Sequence, residues 1–111
     1  TLYAAGHQVK TFNPDTTGQT YPSSGAELNA GVNEANSWGA DLFVSCHANS
    51  LDSSSTGSEV LVRGSDTYGQ AIGRKVCSSV SNLLGIRNRE LRFPVDKGEL
   101  NQTNMPAIII E

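Results

Sequence analysis

The 111-residue sequence lacks several features that mark whole classes of protein. No apolar run approaches the roughly 18 consecutive residues that a membrane-spanning helix requires. The eight lysines and arginines are scattered along the chain, and the formal net charge is only -3. No basic stripe is therefore present to attract a phosphate backbone or an anionic lipid surface. We expect no membrane span and no nucleic-acid partner.

Cysteine is also scarce. The two cysteines, Cys46 and Cys77, form neither the Cys-x-x-Cys pair of a metal site nor a disulfide framework. Unpaired cysteines are commonly buried, so we expect two buried free thiols. A hydrophobic content of 37% and a charged content of 17% are compatible with a chain that folds as one domain or less.

Apolar periodicity predicts helices and strands that alternate along the chain. Helical spacing predicts helices over residues 25–38 and 67–84, with a Ser24-x-x-Glu27 capping box before the first and Asp66 before the second. Short apolar and β-branched runs predict strands over residues 9–12, 41–47, 59–63 and 107–110, with one further short strand near 91–93.

Strands that alternate with helices indicate an α/β fold, which we predict to have three layers, α/β/α, around a mostly parallel sheet. Residues 1–5 are typical of the last turn of a helix, because Gly6 follows them. The sequence ends on a buried strand, whereas a domain usually closes on a docked helix or a surface tail. We therefore expect residues 1–111 to be part of a domain that is truncated at both ends.

His47 and Glu111 both follow predicted strands. In open α/β sheets, ligands bind outside the carboxyl ends of the strands. If these two strands are parallel, both side chains project at one edge, as a metal ligand and a general base require. Cys46 points to the opposite face of its strand and is a poor second ligand. Each residue also has a simpler interpretation, a structural histidine and a solvated carboxylate.

Four segments, in order, resemble the zinc-dependent N-acetylmuramoyl-L-alanine amidases, a family that includes phage endolysins. Residues 40–50, ADLFVSCHANS, look like the family signature ADLFVSIHANA, and residues 57–62, GSEVLV, resemble the strand after it. Residues 88–91, NREL, resemble an NRGL-like stretch, and residues 103–111, TNMPAIIIE, resemble the strand T-x-MPAVLVE. Their order over nearly the whole chain makes the resemblance strong.

The resemblance implies a zinc ion (Zn²⁺) held by two histidines and a glutamate, and a further glutamate that activates a zinc-bound water. His47 matches the second histidine ligand, and Glu111 matches the catalytic glutamate. In the family, the first histidine and the ligand glutamate lie on a strand and a helix that this sequence lacks. His7 resembles the start of the family's second strand, so we interpret it as a surface or strand-start histidine rather than a ligand.

Other polar residues have weaker claims to a role in the site. Glu27 is explained by the capping box and Glu34 by a polar helix face, so neither is a good metal ligand. Asn49 lies in the His-Ala-Asn turn, and Arg89 and Asn104 lie in loops that are expected to border the groove. Asn49 either fixes the backbone of its turn or touches substrate, and the other two either bind the stem peptide or are simply solvated.

The resemblance implies hydrolysis of the amide between N-acetylmuramic acid and L-alanine, with the peptidoglycan stem peptide and glycan strand as partners. The expected location is the bacterial cell wall, reached by a secreted enzyme or a phage lysin. One histidine falls short of the three protein ligands of a catalytic zinc site, so these residues alone are expected to be inactive. A degenerate module that binds the wall without cutting it is the second hypothesis, and a different metallohydrolase on a similar scaffold is the third.

Overall fold

A computed structural model describes residues 1–48 and 56–111. Its elements, in chain order, are α1 (Pro14–Thr17), α2 (Ser24–Trp38), β1 (Phe43–Cys46), β2 (Ser58–Val62), α3 (Thr67–Leu84), β3 (Asn88–Arg92), α4 (Gly98–Asn101) and β4 (Ala107–Ile110). No helix among these residues is both long and apolar enough to cross a membrane.

The strands of the described residues form one sheet with the order β1-β4-β2-β3. β4 pairs in parallel with β1 and antiparallel with β2, and β2 pairs in parallel with β3. Two of these three pairings are parallel, which confirms the mostly parallel α/β sheet and the parallel pairing of the strands that precede His47 and Glu111. The antiparallel direction of β2 was not predicted, because apolar periodicity carries no information on strand direction.

The two faces of the sheet bury separate cores, which gives the predicted α/β/α layers. The core toward α3 consists of Val60, Val62, Cys77 and Ile108. The core toward α4 consists of Leu61, Leu100, Ala107 and Ile109. α2 packs outside α4 on this second face. The alternation of inward side chains along β2 and β4 follows from the two-residue period of a strand, and it leaves both strands covered from both sides.

The two long helices lie where apolar spacing predicted them, and each ends at a glycine in the left-handed conformation, Gly39 at φ 74° and Gly85 at φ 66°. The predicted cap of α2 is wrong by one residue. The Ser23 side chain, rather than that of Ser24, accepts the hydrogen bond from Ala26 N (3.1 Å). Ser23 has the extended backbone of a cap residue, so the Ser24–Glu27 capping box does not form.

The predicted strand over residues 9–12 is wrong, because no described strand pairs with this segment. A strand forms only where a neighbour supplies its backbone hydrogen bonds. Phe12 instead lies against α2, where a Cβ added at Gly31 would be 3.0 Å from its ring. Side-chain packing therefore places this segment. The strand expected near residues 91–93 begins earlier and spans β3, and the turn expected over residues 1–5 is present, with Ala5 N donating to Thr1 O at 3.0 Å.

Only one of the two cysteines is buried as expected. Cys77 of α3 is 0% exposed, whereas Cys46 at the end of β1 is exposed. α3 packs mainly over β2, β3 and β4, so it does not cover the outer strand on which Cys46 lies. The prediction that the Cys46 thiol is buried was therefore wrong. Burial at this position depends on the order of the strands in the sheet, because that order decides which strands a helix covers.

Asp66 links the start of α3 to the start of β4. Its Oδ1 accepts a hydrogen bond from Gly69 N (2.7 Å), as the sequence predicted for a helix cap. Its Oδ2 accepts a second hydrogen bond from Ala107 N (3.0 Å). Ala107 is buried, so without Asp66 its amide would lack a partner in a region closed to water.

We expect Asp66→Ala to lower the free energy of unfolding by about 2–4 kcal/mol, the sum of a lost cap and an unsatisfied buried amide. Urea unfolding followed by circular dichroism measures this change. Asp96→Ala, at an exposed position, is the control for loss of one carboxylate. A loss in Asp66→Ala no larger than in this control would contradict the double role.

Candidate active site

Four strands bring charged residues to one edge of the sheet. β1 and β4 run toward this edge and are followed there by His47 and Glu111, while β2 and β3 start there with Glu59 and Arg89 near their first residues. Glu59 and Glu111 exchange two backbone hydrogen bonds of 2.9 Å each. His47 N donates to Ile110 O at 2.9 Å. The structure thus brings together His47 and Glu111, the two residues on which the sequence prediction rested.

The side chains at this edge share one face of the sheet. Residues opposite each other in neighbouring strands point to the same side, so His47, Glu111 and Glu59 all face the layer that contains α4. Neighbouring strands lie about 4.8 Å apart, which places the Glu111 backbone about 5 Å from those of His47 and Glu59 and about 10 Å from β3. The edge is a row of four charged or titratable residues across the whole sheet.

His47 contacts two polar side chains through the same ring nitrogen. Nε2 lies 2.9 Å from Ser45 Oγ and 3.2 Å from Glu99 Oε1. The His47 side chain is 44% exposed, whereas that of Glu99, on α4, is only 13% exposed. Sequence reasoning missed Glu99, because it lies in a polar segment broken by proline and glycine that shows no helical period. The pair is an ion pair when the imidazole is protonated.

Glu59 is a buried carboxylate held by two arginines. The residue is 7% exposed, and its Oε2 lies 3.4 Å from Arg92 Nε and 3.8 Å from Arg89 Nε. A buried charge without a partner is strongly destabilising, so the two guanidinium groups allow a carboxylate to exist inside the sheet. Sequence reasoning placed Glu59 in an apolar strand and gave it no role, although a single acidic residue in a buried strand is an available signal.

A β-bulge turns Arg89 toward Glu59. Between the pairs that Ser58 and Val60 make with β3, that strand contains one extra residue. Glu90 lies in this bulge at φ 63°, and among the described residues it alone has a positive φ without being glycine. The corresponding position of the family's NRGL-like stretch is glycine, which adopts this conformation without steric cost. The side chain of Asn88 supports the bulge by accepting a hydrogen bond from Glu90 N at 2.8 Å.

Because a left-handed backbone costs a non-glycine residue about 1–2 kcal/mol, we expect Glu90→Gly to stabilise the protein. The larger backbone entropy of glycine in the unfolded chain offsets part of the gain, which leaves about 0.5–1 kcal/mol. Urea unfolding measures the difference. Glu90→Ala removes the same carboxylate but keeps the Cβ, so it is the matched control and should show no gain. Equal stabilisation by both variants would contradict the backbone explanation.

The remaining predicted site residues do not join this row. Asn104 precedes β4 and so lies toward the opposite edge, where its backbone N donates to Asn36 Oδ1 at 2.8 Å. β4 therefore separates Asn104 from Glu111, and contact of Asn104 with the stem peptide stays a prediction. Asn49 lies outside the described residues. His7 is exposed, and Glu34 pairs with Lys10 at 3.4 Å.

The described residues do not complete a metal site. Within residues 1–48 and 56–111, no three His, Cys, Asp or Glu side chains cluster in a way that could hold a metal ion. A catalytic zinc has three protein ligands. His47, half-exposed and already oriented by Glu99, is suited to be one of them. The zinc ion itself stays a prediction.

Known proteins share this sequence pattern and fold. The profile of the N-acetylmuramoyl-L-alanine amidase family matches residues 1–111. A protein of Clostridium perfringens, described as an uncharacterized 38.4 kDa protein, is 30% identical over 90 residues. That match covers 77% of this chain and 26% of the other.

Solved structures of amidases superpose on the chain. The N-acetylmuramoyl-L-alanine amidase of Clostridium difficile 630 is 30% identical at a TM-score of 0.70, over 83% of this chain and 48% of that one. The catalytic domain of an N-acetylmuramoyl-L-alanine amidase from Bacillus (Paenibacillus) polymyxa var. colistinus is 29% identical at a TM-score of 0.64, over 76% and 46%. The catalytic domain of an endolysin targeting Clostridia Difficile shares the fold at a TM-score of 0.74 and 24% identity, over 83% and 49%.

The chain thus spans about half the length of these solved structures and about a quarter of the Clostridium perfringens protein. The profile match nevertheless runs from Thr1 to Glu111 and includes both His47 and Glu111. From this match, and from the fold that it shares with solved amidases, it follows that the chain belongs to the N-acetylmuramoyl-L-alanine amidase family.

Proposed function

We propose that the protein hydrolyses the amide bond between N-acetylmuramic acid and the L-alanine of the peptidoglycan stem peptide. The observation that carries the proposal is the pairing of β1 with β4, which sets His47 beside Glu111 at one edge of the sheet. Membership of the amidase family supports this reaction class. The stem peptide and glycan strand are then the partners, and the protein acts on the bacterial wall as a secreted enzyme or a phage lysin.

Glu111 is the group that moves the proton in this proposal. Amide hydrolysis requires that water lose a proton as its oxygen attacks the carbonyl carbon, and that the nitrogen gain one as the C–N bond breaks. A carboxylate can accept the first proton and deliver it to the leaving amine. Backbone hydrogen bonds on both sides of β4 fix the position of Glu111, as a group that serves both steps requires.

We further propose that His47 is one ligand of a zinc ion. Such an ion, when bound, polarises the scissile carbonyl and makes its water more acidic. The described residues supply no complete ligand set, so the other ligands are expected from elsewhere in the protein. Glu99 is a positioning residue here. If Nε2 donates its hydrogen to Glu99 Oε1, the second ring nitrogen keeps the lone pair that a metal requires.

A wall-binding module without catalytic activity is the second candidate function. The observation in its favour is that the described residues include no cluster of three metal-binding side chains. Metal content and hydrolysis by the full-length protein distinguish the two candidates. The enzyme binds about one zinc ion and releases stem peptides, whereas the binding module adheres to purified peptidoglycan, holds no zinc and releases none.

We expect Glu111→Gln in the full-length protein to reduce hydrolysis about 10²–10⁴-fold, because a neutral amide cannot accept the proton. The fold and the zinc content should not change. The measurement is the release of stem peptides with a free L-alanine amino group from purified peptidoglycan. Glu27→Gln, an exposed position on α2, is the matched control and should retain activity. Near-normal turnover by Glu111→Gln would show that another group is the base.

We expect His47→Ala to lower the zinc bound per molecule after dialysis, because it removes a ligand. Elemental analysis measures the zinc directly, without relying on activity. His7→Ala is the matched control and should keep the wild-type zinc content. Equal loss of zinc in both variants would make His7 a ligand as well, and a wild-type protein without zinc would favour the wall-binding module.

A further inference from the structure

Arg89 lies near the first residue of β3 at the edge of the candidate active site, and the side chain of Arg92, the last residue of that strand, reaches back to the same carboxylate. Both arginines contact a single carboxylate, that of Glu59, so the three side chains together keep one net positive charge. Both contacts use Nε, and within the described residues no hydrogen bond engages the outer Nη atoms. The Arg92 side chain is 54% exposed and that of Arg89 is 27% exposed. Their outer donors are therefore accessible to a ligand.

We propose that Arg89 and Arg92 form a subsite that binds a carboxylate of the stem peptide, and that Glu59 is the positioning residue that holds them there. The inference rests on the proposed function, because the ligand is the substrate of the same edge. Guanidinium groups match carboxylates through paired N–H donors, which makes arginine the residue suited to this recognition.

The distance between Glu111 and the arginine pair decides which residue of the stem peptide reaches the subsite. β3 lies two strands from β4, about 10 Å from Glu111 at the level of the backbone. An extended peptide advances about 3.5 Å per residue, so the second stem residue lies about 7 Å beyond the scissile bond. Arginine side chains reach part of the way toward Glu111. A carboxylate on the second stem residue would therefore fall within the reach of the pair.

The position of the arginine pair fixes the direction in which a peptide with a carboxylate lies. Arg89 and Arg92 stand on the β3 side, where the carboxylate is attracted. An anionic peptide accordingly extends from Glu111 toward β3. Glu59, at 7% exposure, does not touch the ligand but sets where the two guanidinium groups lie.

The test uses the full-length protein and two synthetic N-acetylmuramoyl peptides that differ only at the second residue. One carries a free carboxylate there, and the other carries the carboxamide. We expect the wild-type protein to hydrolyse the free acid with a kcat/KM about 10–100-fold higher, mainly through KM, as one charge-assisted contact allows. Arg92→Gln should reduce this ratio toward one by raising KM for the free acid more than for the carboxamide.

Glu59 is tested by the same ratio. We expect Glu59→Gln to reduce it, because a neutral amide no longer anchors two cations, and Glu59→Asp to restore part of it, because the charge returns. Arg74→Gln removes one positive charge from α3, on the other face of the sheet, and should keep the wild-type ratio. Glu59 is buried, so its variants can misfold. If they do, the ratio measured for Arg92→Gln decides the test, because the Arg92 side chain is exposed.

Equal kcat/KM for the two peptides, or a preference that survives Arg92→Gln, would overturn the inference while leaving the proposed function intact. Absence of hydrolysis of either peptide, together with no release of stem peptides from purified peptidoglycan, would instead refute the proposed function. In that case the affinities of both peptides, measured by calorimetry, still decide the subsite: a lower Kd for the free acid that Arg92→Gln abolishes supports it, and equal Kd values refute it.

Discussion

The backbone hydrogen bonds that β4 makes on both sides hold the structure together. β4 joins β1 to the β2–β3 pair, and the two cores meet at its alternating side chains. Asp66 fixes its first residue from the cap of α3, and Glu59 pairs with Glu111 at its other end. The backbone of Glu111, and with it the face of the sheet to which its side chain points, is therefore set by the same interactions that assemble the sheet.

Local sequence patterns predicted the elements that depend on local physics. The spacing of apolar residues predicted α2 and α3. The glycines after them, Gly39 and Gly85, predicted where each helix ends, because glycine accepts a left-handed backbone. The apolar run before Glu111 gave β4. Because parallel strands end at one edge, the same reasoning placed His47 beside Glu111. The roles of these two residues came from the family's motifs rather than from the pattern.

Features that depend on distant partners could not be predicted in this way. Residues 9–12 have the composition of a strand but no described neighbour to pair with. Glu99 reaches His47 across 52 positions of sequence, and the bulge at Glu90 depends on the register between β2 and β3. Nothing near Glu59 in the sequence shows that two arginines, 30 and 33 residues later, neutralise it. Long-range pairing, which local periodicity does not report, decides each of these features.

Glu59 and Glu111 show how neighbouring residues of one type acquire different surroundings. They are paired in the ladder and point to the same face, so their backbones are nearly equivalent. The side-chain environment separates them. Glu59 contacts two guanidinium groups, those of Arg89 and Arg92. Glu111 has no such arginine pair among the described residues. Two adjacent glutamates on one face of the sheet thus differ in their charged neighbours, because the bulge of β3 and the two arginines reach only one of them.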